Sequence, residues 1–249
     1  MGQVIVDLPD RPTRVESRSR EFEVAASRLG IAAAGLSILT VVAIWIDLPV
    51  LGYARQLAPS SSFRHPHKLL DLAEVCGHAY GVALILLVAF VLEVKSKWKV
   101  GRIAACAYGA GLAADLAKLF IARVRPGYFA PGASVWESFV GVLPIVFGTS
   151  SEHPYGSALQ SFPSGHTATA VGLAIGLGWC YPRGRWVFAG LAVLAGLQRI
   201  ESANHYLSDC LAGAALACLV GCVCVGPGPV GRFLRRRGDG RSSEPAAGE

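Results

Sequence analysis

Apolar residues along this chain fall in runs rather than in a narrow repeating stripe. Leu29–Ile46, Gly77–Leu92, a stretch ending near Ile121, Gly165–Cys180, Trp186–Leu197 and Tyr206–Val225 are each apolar nearly throughout, with polar segments between them. A helix apolar on every side is buried in a large core or in lipid. Roughly 20 residues are enough to cross a bilayer. The pattern predicts an all-α fold, a six-span transmembrane helical bundle. The polar intervals differ in character. Asp47–Lys68, with Pro49, Pro59 and Pro66, is expected to be a loop or interfacial segment. Ala122–Pro163 is a long connection rich in Pro, Gly and Ser, a length that usually serves function. Within it Val135–Gly148 is apolar but interrupted by Glu137 and Pro144, and is expected to be a short helix lying at the membrane surface. The expected organisation is a polar N-terminal tail over 1–24, a membrane domain over 25–227 and a basic disordered tail over 228–249.

Composition supports this reading. Of 249 residues, 53% are hydrophobic and 16% charged, and the 29 glycines suit close helix packing. The net charge of +6 is concentrated in the two tails, the Lys95–Arg102 loop and the Pro182–Arg185 loop. With six spans these four segments share one side, which the positive-inside rule makes cytoplasmic. The charge therefore reads as topological, and no nucleic-acid partner is expected. The N-terminal tail lacks the apolar core and cleavage site of a signal peptide, so the first span reads as an uncleaved anchor in the plasma membrane. The seven cysteines fall in or beside spans and read as packing residues with no disulfide framework.

The chemistry collects on the opposite, extracytoplasmic face. In Gln198–Gly213, QRIESANHYLSDCLAG, His205 and Asp209 are four residues apart. If the helix covers them, a carboxylate can hold one ring nitrogen while the other stays free to attack. A plain structural hydrogen bond fits the same spacing. Arg199 supplies a cation across the turn. KLFIARVRP places Lys118 and Arg125 seven residues apart, close to two helical turns, although Pro126 disfavours helix at Arg125 and either side chain alone could simply snorkel. FPSGH opens the fourth span, where Ser164 can cap the helix, Gly165 allows close backbone approach and the first N–H groups can bind phosphate. Taken together, three cations, a helix N-terminus and two histidines suit a phosphate dianion. Asp115, one turn before Lys118, is expected to be a buried carboxylate paired with it. Asp71, Glu74 and His78 are expected to share a helix face that could be a metal site or a polar face against the headgroup region or the pocket, the second being favoured.

These three motifs resemble the signatures of the type 2 phosphatidic acid phosphatase superfamily: Lys-x6-Arg-Pro, Pro-Ser-Gly-His, and Ser-Arg-x5-His-x3-Asp. Gln198 stands where the family usually has Ser. The resemblance implies His205 as nucleophile forming a phosphohistidine, Asp209 orienting it, and His166 as general acid and then base. It implies Lys118, Arg125, Ser164, Gly165 and Arg199 as phosphate-binding groups, with no metal and no cofactor. The implied partner is a lipid phosphate substrate such as phosphatidic acid, phosphatidylglycerol phosphate, a polyprenyl pyrophosphate or a lipid A-type phosphate. The long loop, with Trp136, His153 and Tyr155, is expected to shape headgroup preference. A lipid phosphotransferase, or a non-catalytic lipid-binding or transport protein, remains open as an alternative.

Overall fold

The computed structural model describes residues 14–57, 64–93, 97–150 and 156–239. His153, Tyr155 and Lys95 lie outside these residues. The elements, in order, are α1 (Arg14–Ile44), α2 (Asp47–Leu57), α3 (Arg64–Glu74), α4 (Ala79–Leu92), α5 (Lys97–Lys118), β1 (Ile121–Arg123), β2 (Phe139–Val142), α6 (Pro144–Phe147), α7 (Gly165–Cys180), α8 (Arg185–Glu201), α9 (Leu207–Val225) and α10 (Pro229–Asp239). The fold is mostly helical, as the runs predict. Among the described residues, Arg20–Ile44 and Leu207–Val225 are each long and apolar enough to cross a membrane alone. Lys68–Glu74 and Ala79–Leu92, bent by 72° at the break between them, meet the same test as a pair.

The centre of the bundle is α7, packed on α5, α8 and α9, while α1 lies along α9. Small residues make this possible. Ala110, Ala114, Ala168 and Ala217 form one buried cluster, and Ala170, Ala192 and Ala195 another. A Cβ added at Gly172 would sit 2.3 Å from the Cys106 carbonyl oxygen, so α5 and α7 touch backbone to backbone. Larger side chains (Val82, Leu86, Ile103 and Leu173) fill the space toward α4. Leu84, Leu87, Val91 and Leu92 are exposed on α4, the arrangement expected where lipid rather than water is the solvent. All seven cysteines are free thiols.

Four expectations change. Asp47–Leu57 is helical rather than a loop, because Pro49 falls in the first turn, where its missing N–H has no helical partner to lose. The apolar segment Val135–Gly148 is not one helix. Ser134 and Glu137 cap a single 3-10 turn over Val135–Ser138, Phe139–Val142 then pairs antiparallel with β1, and Pro144 starts a helix of four residues. The helix of the predicted third span, α5, stops at Lys118, and the chain is extended by Ile121, so Lys118 and Arg125 do not share a helix face. Part of the C-terminal segment expected to be disordered, Pro229–Asp239, is helical.

Candidate active site

The site forms where α5 and α8 end and α7 and α9 begin. Each local structure follows from a few residues. Ser164 caps α7, its hydroxyl accepting the Thr167 N–H at 3.3 Å and the Thr167 hydroxyl at 3.0 Å. The Ser164 N–H donates to the Asp209 carbonyl at 3.0 Å, which pins the start of α7 to the first turn of α9. After α8, Ala203 takes a left-handed conformation with φ of 52°. The N–H groups of Asn204 and His205 then both donate to the Arg199 carbonyl at 3.1 Å. This tight reversal holds His205 at the mouth of α9 and directly beside Arg199. Asp209, in the first turn of α9, accepts the Tyr206 N–H at 2.8 Å.

All eight sequence-flagged residues converge here. His205 is 2% exposed, and its Nδ1 lies 2.7 Å from the Ser161 carbonyl oxygen. A carbonyl can only accept, so Nδ1 carries the proton and Nε2 has the lone pair. Asp209 is less direct than expected. Its Oδ2 is 3.7 Å from His205 Nδ1 and instead accepts the Ser161 hydroxyl at 2.6 Å. Asp209 therefore fixes the residue that fixes the ring, and adds a nearby negative charge. Burial pushes the His205 imidazole below the ordinary histidine value, outweighing the opposite pull of Asp209. Arg125 and Lys118 lie within electrostatic reach of His205. His166 is within reach of Arg199, His205, His78 and Lys118, and its ring meets that of His78 edge to face at 5.8 Å.

The cations are held in different ways. Lys118 Nζ donates to Asp115 Oδ1 at 2.7 Å, and a Cβ at Gly165 would lie 3.3 Å from both atoms. The ammonium thus sits over the first turn of α7. The expected pair exists, but Asp115 is 65% exposed rather than buried. Arg199 Nη2 pairs with Glu74 Oε1, its Nε donates to Gln198 Oε1 at 2.6 Å, and Gln198 Nε2 reaches Glu74 Oε2 at 3.3 Å. Gln198, the departure from the family pattern, thereby bridges Arg199 and its carboxylate. Glu74 thus reaches the site, but α3 ends at Glu74, Asp71 is exposed and His78 lies beyond the following turn, so the three do not share the expected helix face. Among the described residues no three His, Cys, Asp or Glu side chains are placed to hold a metal ion. Arg125 has a buried Nε with no hydrogen-bond partner, and burial lowers its tendency to hold charge.

Sequence reasoning missed Arg123. It is fully buried, donating Nη2 to Asp47 Oδ2 at 2.8 Å and Nη1 to Asp209 Oδ1 at 2.6 Å. The rings of Tyr206 and Phe139 lie 4.0 and 4.4 Å from its guanidinium carbon. The available signal was the spacing to Arg125: in an extended segment, residues two apart face the same way.

The PAP2 superfamily profile matches residues 79–226. The chain is 34% identical over 107 residues to the lipid A 1-phosphatase of Rhizobium johnstonii, covering 42% of this chain and 38% of that protein. It is 33% identical over 107 residues to the lipid A 1-phosphatase of Rhizobium etli, covering 42% and 40%. Over 72 residues it is 44% identical to the lipid A 1-phosphatase of Porphyromonas gingivalis, covering 27% and 16%. The matched stretch is thus less than half the length of each of these curated relatives. No solved structure matches the chain.

Proposed function

This chain belongs to the PAP2 superfamily, and on that premise we propose that it is an integral membrane phosphatase acting on a membrane lipid through a phosphohistidine on His205. The observation that carries the reading is the Nδ1 contact to the Ser161 carbonyl, which leaves Nε2 as a lone-pair donor among Lys118, Arg125 and Arg199. In the first step Nε2 bonds to phosphorus, the bond to the lipid oxygen breaks, and His166 gives that oxygen a proton. In the second, His166 takes a proton from water, whose oxygen bonds to phosphorus as the N–P bond breaks and inorganic phosphate leaves. Both transition states gather charge on the phosphoryl oxygens. Lys118, Arg125, Arg199 and the first N–H groups of α7, Gly165 among them, would meet that charge, so no divalent metal is required.

The substrate is a phosphomonoester or pyrophosphate of a membrane lipid. The relatives' names put a lipid A 1-phosphate first among the candidates, ahead of phosphatidic acid, phosphatidylglycerol phosphate and a polyprenyl pyrophosphate. The six-span topology, with cytoplasmic termini and an extracytoplasmic site in the plasma membrane, belongs to this proposal. It would place the anion at headgroup depth while the tail stays in lipid. The test is phosphate release by purified protein in detergent with EDTA, across those four substrates, for wild type and His205→Ala. The expected result is turnover of at least one substrate by wild type and none by the variant. Activity that needs added Mg²⁺, or that survives the substitution, would overturn the mechanism. Phosphoryl transfer to an added alcohol in place of phosphate release would reassign the chain as a transferase.

A further inference from the structure

Asp47 lies on α2, outside the stretch that the PAP2 profile matches, yet it is 1% exposed and bonded to the underside of the site. Its Oδ2 accepts from Arg123 Nη2 at 2.8 Å and from the Ser208 hydroxyl. Its Oδ1 accepts the Ser208 N–H at 2.9 Å. Since Arg123 also donates to Asp209 at 2.6 Å, two buried carboxylates share one guanidinium. Building on the phosphohistidine reading above, we propose that Asp47 is a positioning residue for His205: by occupying half of Arg123, it leaves Asp209 a negative charge to steady the ring as that ring becomes cationic.

The argument is one of charge. Asp47, Arg123 and Asp209 together carry one net negative charge; without Asp47, Arg123 and Asp209 cancel. Asp209 Oδ2 is 3.7 Å from His205 Nδ1, in a setting with little water to screen it. The other charged groups near His205 are Lys118 from α5, Arg125 from the loop after β1, His166 from α7 and Arg199 from α8. The carboxylates beside them, Glu74 and Asp115, are each bonded to a cation of their own, Arg199 and Lys118. When Nε2 bonds to phosphorus, the positive charge spread over the ring meets the negative charge of this cluster at Asp209. The Phe139 and Tyr206 rings lie 4.4 and 4.0 Å from the guanidinium carbon, and its Nε donates to the Ser138 hydroxyl at 3.0 Å.

The test uses the full chain in detergent, on whichever substrate wild type hydrolyses. Asp47→Asn keeps the shape and removes the charge. It should lower kcat by about 10-fold, leave KM within about twofold, and move the acid limb of the kcat profile to lower pH, because the ring has become less basic. Asp47→Asn with Arg123→Gln removes one charge of each sign and returns the negative charge to Asp209, so it should recover part of the lost kcat. Ser208→Ala breaks a bridge without changing charge and should leave the acid limb in place. A double variant slower than Asp47→Asn, an unmoved acid limb, or a loss confined to KM would each overturn the proposal. Full kcat in Asp47→Asn, with His205→Ala inactive, would end this inference alone; an active His205→Ala would end the reading beneath it.

Discussion

Gly213 offers the sharpest test of how helix packing sets the site. It lies one turn beyond Asp209 on α9, against the start of α7. A Cβ there would sit 2.4 Å from the Ser164 carbonyl oxygen, and ordinary contact begins at 3.4 Å. Gly213→Ala therefore forces the two helices apart by about 1 Å, since neither backbone can give way as a flexible side chain would. The same displacement stretches the Ser164 N–H bond to the Asp209 carbonyl, now 3.0 Å, out of hydrogen-bond range. Overpacking of this kind costs about 1–3 kcal/mol. The larger effect is on rate. In the proposed mechanism the phosphate-binding turn rides on α7 and the nucleophile, His205, leads into α9, so a shift of about 1 Å between them should cost about 100-fold in kcat. Gly190→Ala on α8 is the matched control: its Cβ would meet nothing within 4 Å, and replacing a helical glycine there should be neutral or stabilise by up to about 1 kcal/mol. Phosphate release and thermal unfolding in detergent read both variants. If Gly213→Ala kept kcat within twofold of wild type, the claim that this contact sets the geometry would be wrong.

Two further outcomes follow from individual groups. Burial holds the His205 imidazole below its ordinary value, so the neutral nucleophile should persist as pH falls past about 6.5, with kcat/KM dropping only below that. The linked stability term has the same sign: it is complete above about 6.5 and is lost as pH falls toward the folded-state value, and His205→Asn should remove that slope from thermal unfolding measured against pH. Glu74 neutralises Arg199 at the pocket edge, so Glu74→Gln should strengthen competitive inhibition by inorganic phosphate about threefold to tenfold. Weaker inhibition would mean that Glu74 serves only to aim the guanidinium.

What could be read from the sequence was what local spacing determines. The Ser164 cap needs only a hydroxyl before a helix, and the Lys118–Asp115 contact only three residues of helix; both appear. The helical segments were visible as apolar runs, although Pro49 hid α2 and an apolar composition disguised β2 as a helix. The failures share a cause. The depth of Asp115, the partner of Arg199 and the cage around Arg123 depend on which elements come together from distant parts of the chain. Asp47 and Ser208 are 161 residues apart, and nothing in the neighbourhood of either marks the other. His205 and Asp209 show the same limit at short range: their spacing suggested a direct bond, but Ser161, arriving from the loop before α7, took the position between them.

The buried arginines explain why the site needs help from helices that precede the matched domain. Arg123 is balanced by Asp47 from α2, and Arg199 by Glu74 from α3. An unpaired guanidinium at such depth would resist desolvation. Those two carboxylates let the cations stand in a confined pocket before any anion arrives. Arg125 is treated differently. Its backbone N–H is tied to the Ala158 carbonyl at 2.8 Å and its Nε is buried without a partner, a deficit worth about 1–3 kcal/mol. A phosphoryl oxygen that reaches this guanidinium relieves the deficit, whereas at Arg199 it must compete with Glu74. On the proposed reading, the selective advantage of a dianion over a neutral headgroup should therefore concentrate at Arg125, and Arg125→Lys should weaken phosphate inhibition more than Glu74→Gln strengthens it.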